Sequence, residues 1–422
     1  MNEILTEISE RVSSTTEKKD FLDLIFRNHK DAALNGAKVV LFGAGELGYE
    51  LSNTLRNNGI LPVCFCDNNY SKCGTMHMNI PIISFDELIK SYTDSLIILS
   101  IGKEQYLESI EQQLLQSGFS ADRILCKKAD LNGDVAFMHM YANSCAMNPF
   151  DQHGGPHEFL HILQDNEQKI LNACNLMADK KSKELFIAKL ALIASNGHYE
   201  LFKDFMIHYS EPIRKFGLSN RHKETEEYFY FNNDIIQLSP NEVYVDVGAA
   251  DGDTVHTFVQ ACNQNSISHR WIYALEPDPN NYRELVKNVS TYSNISCHEL
   301  GLWSETRVLR FLSSDNASTK EAAALCDQGD IEVNVVSLDD FLSGGEVTFL
   351  KMDPPGNIIP EAIKGAASSI AKYKPKLALG AYHSMKAIFE IPLLVESICP
   401  DYKMFLRHNT CHMCDTVLYA IV

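Results

Sequence analysis

Apolar residues keep one spacing over some stretches of this chain and another over the rest. In residues 1–35, Ile4, Ile8, Phe21, Leu24 and Ile25 fall on one helical stripe. Lys38-Val-Val-Leu-Phe42 then reads as a short buried strand, followed at once by Gly43-Ala-Gly-Glu-Leu-Gly48 and an amphipathic helix to Asn57. A second strand, Pro62–Cys66, ends at Asp67. Ser84–Lys90 reads as a helix, Leu96–Ser100 as another buried strand, and a long helix runs through Glu111 to Ser117. Such alternation predicts a parallel sheet with helices on both faces.

From about Leu131 to Asn232 the strand signal vanishes. Glu158–Met177 and Ser182–Ser195 keep a helical period, while Asn143–Pro156, with Gly154, Gly155 and two prolines, reads as a loop. Alternation resumes with Glu242-Val-Tyr-Val-Asp246. Strands are expected at 243–247, 271–275, 295–299, 307–312, 332–336, 347–352, 376–381, 402–406 and 416–421, with helices near 254–263, 279–289, 360–371 and 385–399.

The expected architecture is α/β: two Rossmann-type domains joined by a helical connector, the C-terminal one a doubly wound sheet. Its parts are a helical segment (1–35), a Rossmann-like domain (36–130), the connector (131–232) and a C-terminal domain (233–422). A chain of 422 residues is long enough for two or three cores. The connector is expected to let the two ends fold independently.

Composition narrows the partners. The chain is 45% hydrophobic and 22% charged, as soluble proteins are, and its formal net charge of −18 gives no basic face for a nucleic acid. No apolar run is long enough to span a bilayer, and the polar start MNEILTEISERVSS has no apolar core of a leader. A cytoplasmic location with reduced thiols is the expectation for the 12 cysteines. Cys64 with Cys66, and Cys411 with His412 and Cys414, are local clusters. Each lacks the second ligand pair of a structural zinc site, so no metal is assigned. The oligomeric state, a homo-oligomer included, is left open.

The strongest chemical signal is Asp246-Val-Gly-Ala-Ala-Asp-Gly252. An apolar strand feeds into Asp246, Gly248 and Gly252 allow a tight turn, and Asp253 and Thr254 open the next helix. A dinucleotide loop would read Gly-x-Gly-x-x-Gly. Here an acid precedes the first glycine, which would repel pyrophosphate and suit a ligand carrying an ammonium and a sulfonium. Glu276 ends the next strand about 24 residues after Gly252, where an acid accepts bonds from ribose hydroxyls. Ala249, Asp251, Pro277 and Asp278 complete the expected donor-binding set. The glycines Gly43, Gly45 and Gly48, with Asp67 about 19 residues on, have the spacing of a dinucleotide fingerprint.

VDVGAADGDT, ALEPDPNNY, VVSLDDF, FLKMD, IKGA, PKLALGAYH and the closing RHN…DTVLYAIV together resemble the FkbM-type methyltransferases, in order over about 190 residues. The resemblance implies a class I methyltransferase sheet, S-adenosylmethionine as donor, and an oxygen of a sugar or of a glycosylated or polyketide product as acceptor. The expected partner is a small-molecule or glycan substrate. The chain departs from the family after Lys351-Met-Asp353. Pro355 and Ile358 stand where relatives commonly carry glutamates, so the acceptor side is altered. The stretch from Val39 through Asp67, Gly74, Ile80-Pro81 and Phe85–Leu88 resembles the small Rossmann domain of PglD-like sugar acetyltransferases, which implies nucleotide or nucleotide-sugar binding. Two other readings are carried: an NAD-dependent oxidoreductase built on Gly43–Gly48, and a non-catalytic S-adenosylmethionine-binding protein.

Methyl transfer to a hydroxyl is an in-line displacement helped by a general base. His383 and Asp353, both at carboxyl ends of expected strands, are the candidates. His383 is preferred because its ordinary pKa lies near 6.5. Tyr382, Arg407 and His408 are candidate substrate contacts. With Asp353 the one carboxylate left between Lys351 and Pro360, catalysis without an essential divalent metal is expected.

Overall fold

The computed structural model describes residues 3–15, 20–128, 135–146, 156–216, 230–231, 233–313, 324–325 and 329–422. Among these, the N-terminal sheet has six strands: β1 (Val39–Phe42), β2 (Cys64–Cys66), β3 (Met76–His77), β4 (Ile80–Ile83), β5 (Leu96–Leu99) and β6 (Ile124–Leu125). Their order is β3-β4-β2-β1-β5-β6, parallel except for the β3–β4 hairpin. β1, β2 and β5 are buried along their whole lengths, as central strands of a covered parallel sheet should be. The short β3, β4 and β6 carry too few residues to show a period.

The C-terminal sheet contains β7 (Val243–Val247), β8 (Trp271–Leu275), β9 (Ile295–His298), β14 (Phe349–Met352), β15 (Lys376–Gly380), β16 (Lys403–His408) and β17 (Thr416–Ile421). Its order is β16-β17-β15-β14-β7-β8-β9, parallel apart from β17, which runs antiparallel to both neighbours. This is a doubly wound sheet, and the strand order reverses at β7. The crevice above the ends of β7, β8 and β14 is therefore where a ligand belongs. Two expected strands lie elsewhere. Arg307–Leu312 (β11) and Ile331–Val336 (β13) pair antiparallel in a small separate sheet with β10 (Gly301–Leu302) and β12 (Ala324–Leu325). Their exposed and buried residues alternate, the mark of a sheet covered on one face only.

The middle of the chain is helical: Val135–Ala146, Pro156–Asp165, Glu167–Leu176, Lys180–Ala194, Tyr199–Tyr209 and Glu211–Phe216. The expected loop 143–156 begins inside the first of these and gives way to the second at Pro156; residues 147–155 lie outside the described residues. The helices are not a spacer. One apolar core runs from Ile25 and Phe42 through Phe186 and Phe202 to Leu350 and Leu406. Backbone bridges join Met177 to Met404 and Ser210 to His408. Lys180–Ala194 is buried almost all round because it is covered by the N-terminal helix Glu3–Ser13 on one side and by β16 on the other. The connector helices thus share buried apolar residues with both sheets. Among the described residues no helix is long and apolar enough to cross a membrane.

Candidate functional site

Adjacent parallel strands place residues of the same register side by side, and β7 and β14 put Asp246 next to Lys351. Both side chains are buried, and Lys351 Nζ lies 2.9 Å from Asp246 Oδ1. The same ammonium donates to Gly248 O at 2.9 Å, and Thr254 Oγ1 donates to Asp246 Oδ2. Burial works against the Lys351 charge, but Asp246 and then Asp353 hold its pKa above the ordinary value. Asp246 is 0% exposed and does not reach the cavity wall. Its carboxylate pairs with the Lys351 ammonium. Sequence reasoning placed this acid at the strand end but did not foresee the Lys351 pairing.

The turn after β7 owes its glycines to crowding. A Cβ on Gly248, at φ +73°, would lie 3.0 Å from Pro354 Cα. On Gly252, at φ +93°, it would lie 2.9 Å from Val289. Ala250 accepts the left-handed region at φ +43° and turns its N–H to Glu276 Oε2 at 2.9 Å. The other Glu276 oxygen accepts from Asp278 N at 2.9 Å. Burial pushes the Glu276 carboxyl up to about 7, against the pull of these two backbone bonds. Asp278 is consumed as the cap of the helix Pro279–Asn288, accepting from Asn280 and Asn281 N–H groups. Asp251 offers its carbonyl to Asn288, and Ala249 is wholly buried.

A cavity of about 320 Å³ opens above these strand ends. On the donor side its wall includes Gly248, Ala250, Asp253, Thr254, Glu276 and Pro277, with Asn281 added. On the other side stand Lys351, Asp353, Tyr382 and His383, with Tyr230 and Asp415. Phe311, Pro354, Pro355 and Ile358 supply an apolar border. The volume sits near the lower end for small-molecule sites. Four carboxylates against one lysine make the wall acidic, which suits a cationic donor.

Asp353 and His383, weighed separately from sequence, are one unit. His383 Nε2 lies 2.8 Å from Asp353 Oδ1. Tyr230 and Tyr382 hydroxyls donate to Asp353 Oδ2 at 2.8 and 3.1 Å. Gly380, beside Asp353 in register, leaves the space the carboxylate fills; a Cβ there would meet Asp353 Oδ1. Burial alone would raise the Asp353 carboxyl, but His383, Lys351 and Tyr230 hold it below the usual carboxylate range. An ionised Asp353 assigns the proton to His383 Nε2 and the free lone pair to Nδ1. The Tyr382 and His383 rings lie 4.1 Å apart.

Arg407 and His408 are not brought to the cavity. Arg407, 3% exposed, turns to Asp234 (2.7 Å) and Asp179 (2.9 Å) and ties the connector to β16. His408 bonds Thr416 Oγ1 at 3.0 Å and packs on Phe205, and burial holds its pKa well below the ordinary imidazole value. Tyr230 and Asp415 were missed. Tyr230 sits in a stretch read as connector, while Asp415 stands inside the quoted closing motif but three residues from a histidine that drew attention as a metal ligand. Burial and the nearby Asp353 charge raise Asp415, with His412 opposing.

The N-terminal fingerprint is also a matter of packing. A Cβ on Gly48 would come 2.0 Å from Gly43 O, and one on Gly43, 2.6 Å from Ser100 O. Gly45 precedes the helix Glu46–Asn57 without a capping side chain. Asp67, expected to meet a ribose, accepts instead from Ala44 N (2.9 Å), Asn69 N (2.8 Å) and Lys72 Nζ (3.1 Å). The nucleotide and nucleotide-sugar assignment for Gly43, Gly45, Gly48 and Asp67 therefore finds no support.

Residues 246–407 match the family described as Methyltransferase FkbM domain. Residues 35–125 match the family described as C2185-like, N-terminal, and not the PglD-like domain expected from sequence. No curated protein matches the chain. Among solved structures, the methyltransferase FkbM from Methylobacillus flagellatus KT is 19% identical, covers 99% of each chain and has a TM-score of 0.63, so the fold is shared from end to end. Aeropyrum pernix fibrillarin, in complex with natively bound S-adenosyl-L-methionine, is 13% identical over 44% of this chain and 70% of that one, with a TM-score of 0.28. The CMeT domain of the citrinin polyketide synthase is 8% identical over 99% and 96%, at 0.29. These two are too distant to bear on the site.

Proposed function

From the premise that residues 246–407 form a methyltransferase FkbM domain, we propose that the chain is an S-adenosylmethionine-dependent O-methyltransferase acting on a sugar hydroxyl of a glycan, nucleotide sugar or glycosylated product. The observation that carries the reading is the hydrogen-bonded Asp353–His383 pair facing the donor crevice. The donor supplies a methyl group made electrophilic by its sulfonium. Glu276, buried and short of positive partners, is the acceptor for two ribose hydroxyls, and the acidic wall favours the cation.

His383 Nδ1 takes the proton of the acceptor hydroxyl as its oxygen bonds the methyl carbon. The carbon–sulfur bond breaks, its electron pair stays on sulfur, and the neutral thioether leaves. Asp353 fixes the imidazole tautomer and steadies the imidazolium that forms. Tyr382 and Asp415 offer polar contacts to neighbouring hydroxyls, and Phe311 and Pro355 offer apolar surface to the carbon face of a ring. Transfer of labelled methyl from the donor to glycans or nucleotide sugars, with the product located by mass, tests this reading. Donor binding with no transfer to any hydroxyl acceptor would leave a donor-binding protein.

A further inference from the structure

Glu46 and Glu50 stand one turn apart on the helix Glu46–Asn57, and His139 meets them from the helix Val135–Ala146. One carboxylate oxygen from each glutamate and an imidazole nitrogen all lie within 4.8 Å of one another. Glu50 Oε2 is buried and accepts no hydrogen bond. It lies 3.6 Å from His139 Nε2, beyond ordinary hydrogen-bond range. A tetrahedral ion with bonds of about 2.0–2.1 Å keeps its ligand atoms about 3.3–3.4 Å apart. The His139–Glu50 spacing is thus closer to a coordination shell than to a hydrogen bond, and the third ligand atom stands within 4.8 Å of both. Two glutamates at i and i+4 repel each other, and neither has a lysine or arginine partner among the described residues.

We propose that Glu46, Glu50 and His139 bind one first-row divalent cation, zinc among them, with the fourth position open to water, at a site apart from the methyl-transfer crevice. The ion would pin the helix Val135–Ala146 to the N-terminal sheet. Both acids lie near the helix start where a dinucleotide domain receives phosphate, so the same residues that gather a cation repel that anion. The set cannot be read from residue spacing, because His139 joins the two glutamates only through the fold.

The test uses the full chain, stripped with chelator, dialysed and titrated with Zn²⁺ by calorimetry and by thermal melting. One equivalent should bind and raise the thermal midpoint. Glu50→Gln, which keeps the side-chain volume, and His139→Ala should each weaken binding by more than the ~10–100-fold typical of changes behind the ligand shell. Circular dichroism and S-adenosylmethionine binding confirm that each variant is folded. Failure of the wild type to bind zinc overturns the proposal. So does stoichiometric binding that survives in both variants, which would place the ion elsewhere, for instance at Cys411, His412 and Cys414.

Discussion

Glu276 gives the donor site a pH dependence that can be calculated in advance. Its carboxyl is raised to about 7 in the donor-free protein, by burial against two backbone hydrogen bonds. Ribose hydroxyls donate to the ionised form and so favour it. Binding below pH 7 must therefore expel a proton. With a value near 7, about one molecule in 30 is ionised at pH 5.5 and about nine in ten at pH 8. Affinity for S-adenosylmethionine should rise about 30-fold between these limits, or about 2 kcal/mol, and level off above pH 8. At pH 6.5, calorimetry in buffers of different ionisation enthalpy should register release of about 0.8 proton. Glu276→Gln should bind more weakly at pH 8 and lose the slope. The sign for folding is the reverse. A carboxyl raised in the folded state stabilises the donor-free chain most below its unfolded value of 4.5. That contribution is lost as pH climbs through about 7, by at most about 3 kcal/mol. A flat wild-type affinity from pH 5.5 to 8, or an equal slope in Glu276→Gln, would refute the reasoning.

His383→Ala should lower turnover by about 10²-fold or more with donor affinity nearly unchanged, measured by single-turnover methyl transfer. Asp353→Asn should also slow turnover, because the imidazole loses the carboxylate that fixes its tautomer and steadies the imidazolium. Lys351→Met strands the buried Asp246 charge and should cost about 3–5 kcal/mol in chemical denaturation, with Asp246→Asn added to it recovering part of the loss. Gly48→Ala forces a Cβ onto Gly43 O and should cost about 1–3 kcal/mol, yet leave S-adenosylmethionine affinity intact; a matching loss of donor binding would tie the two ends together functionally.

Much of the C-terminal fold could be read in advance, because parallel strands covered on both faces appear as continuous apolar runs ending in chemistry-bearing turns. Asp246, Gly248, Glu276, Asp353 and His383 all stand where those runs predicted. What each acid touches could not be read. Lys351 is one register step across a strand pair from Asp246, and register between distant strands is invisible in a single chain. The same limit hid the union of Asp353 with His383. Arg407 and His408 lie just past the expected strand 402–406, in the two residues by which β16 extends beyond it. Their neighbours are connector helices, however, and a helix stripe does not say which sheet face it will cover. The fingerprint around Gly43 misled for a different reason: glycine is required there for close packing of strand, helix and Ser100, and such a turn looks the same with or without a phosphate.

The β16–β17 turn carries Asp415 into the cavity, yet it is held from behind by the middle of the chain. Lys189 donates to Met413 O, Ser144 Oγ accepts from Met413 N, and Ser210 donates to Thr410 O. Recombination that exchanged only the methyl-transfer half for a relative's would cut these tethers and leave a buried ammonium facing foreign backbone. An exchange that keeps these contacts would have to carry the helical brace along with that half. On the proposed reading, substitutions at Lys189 or Ser144 would shift the Asp415 side of the cavity although neither residue lines it.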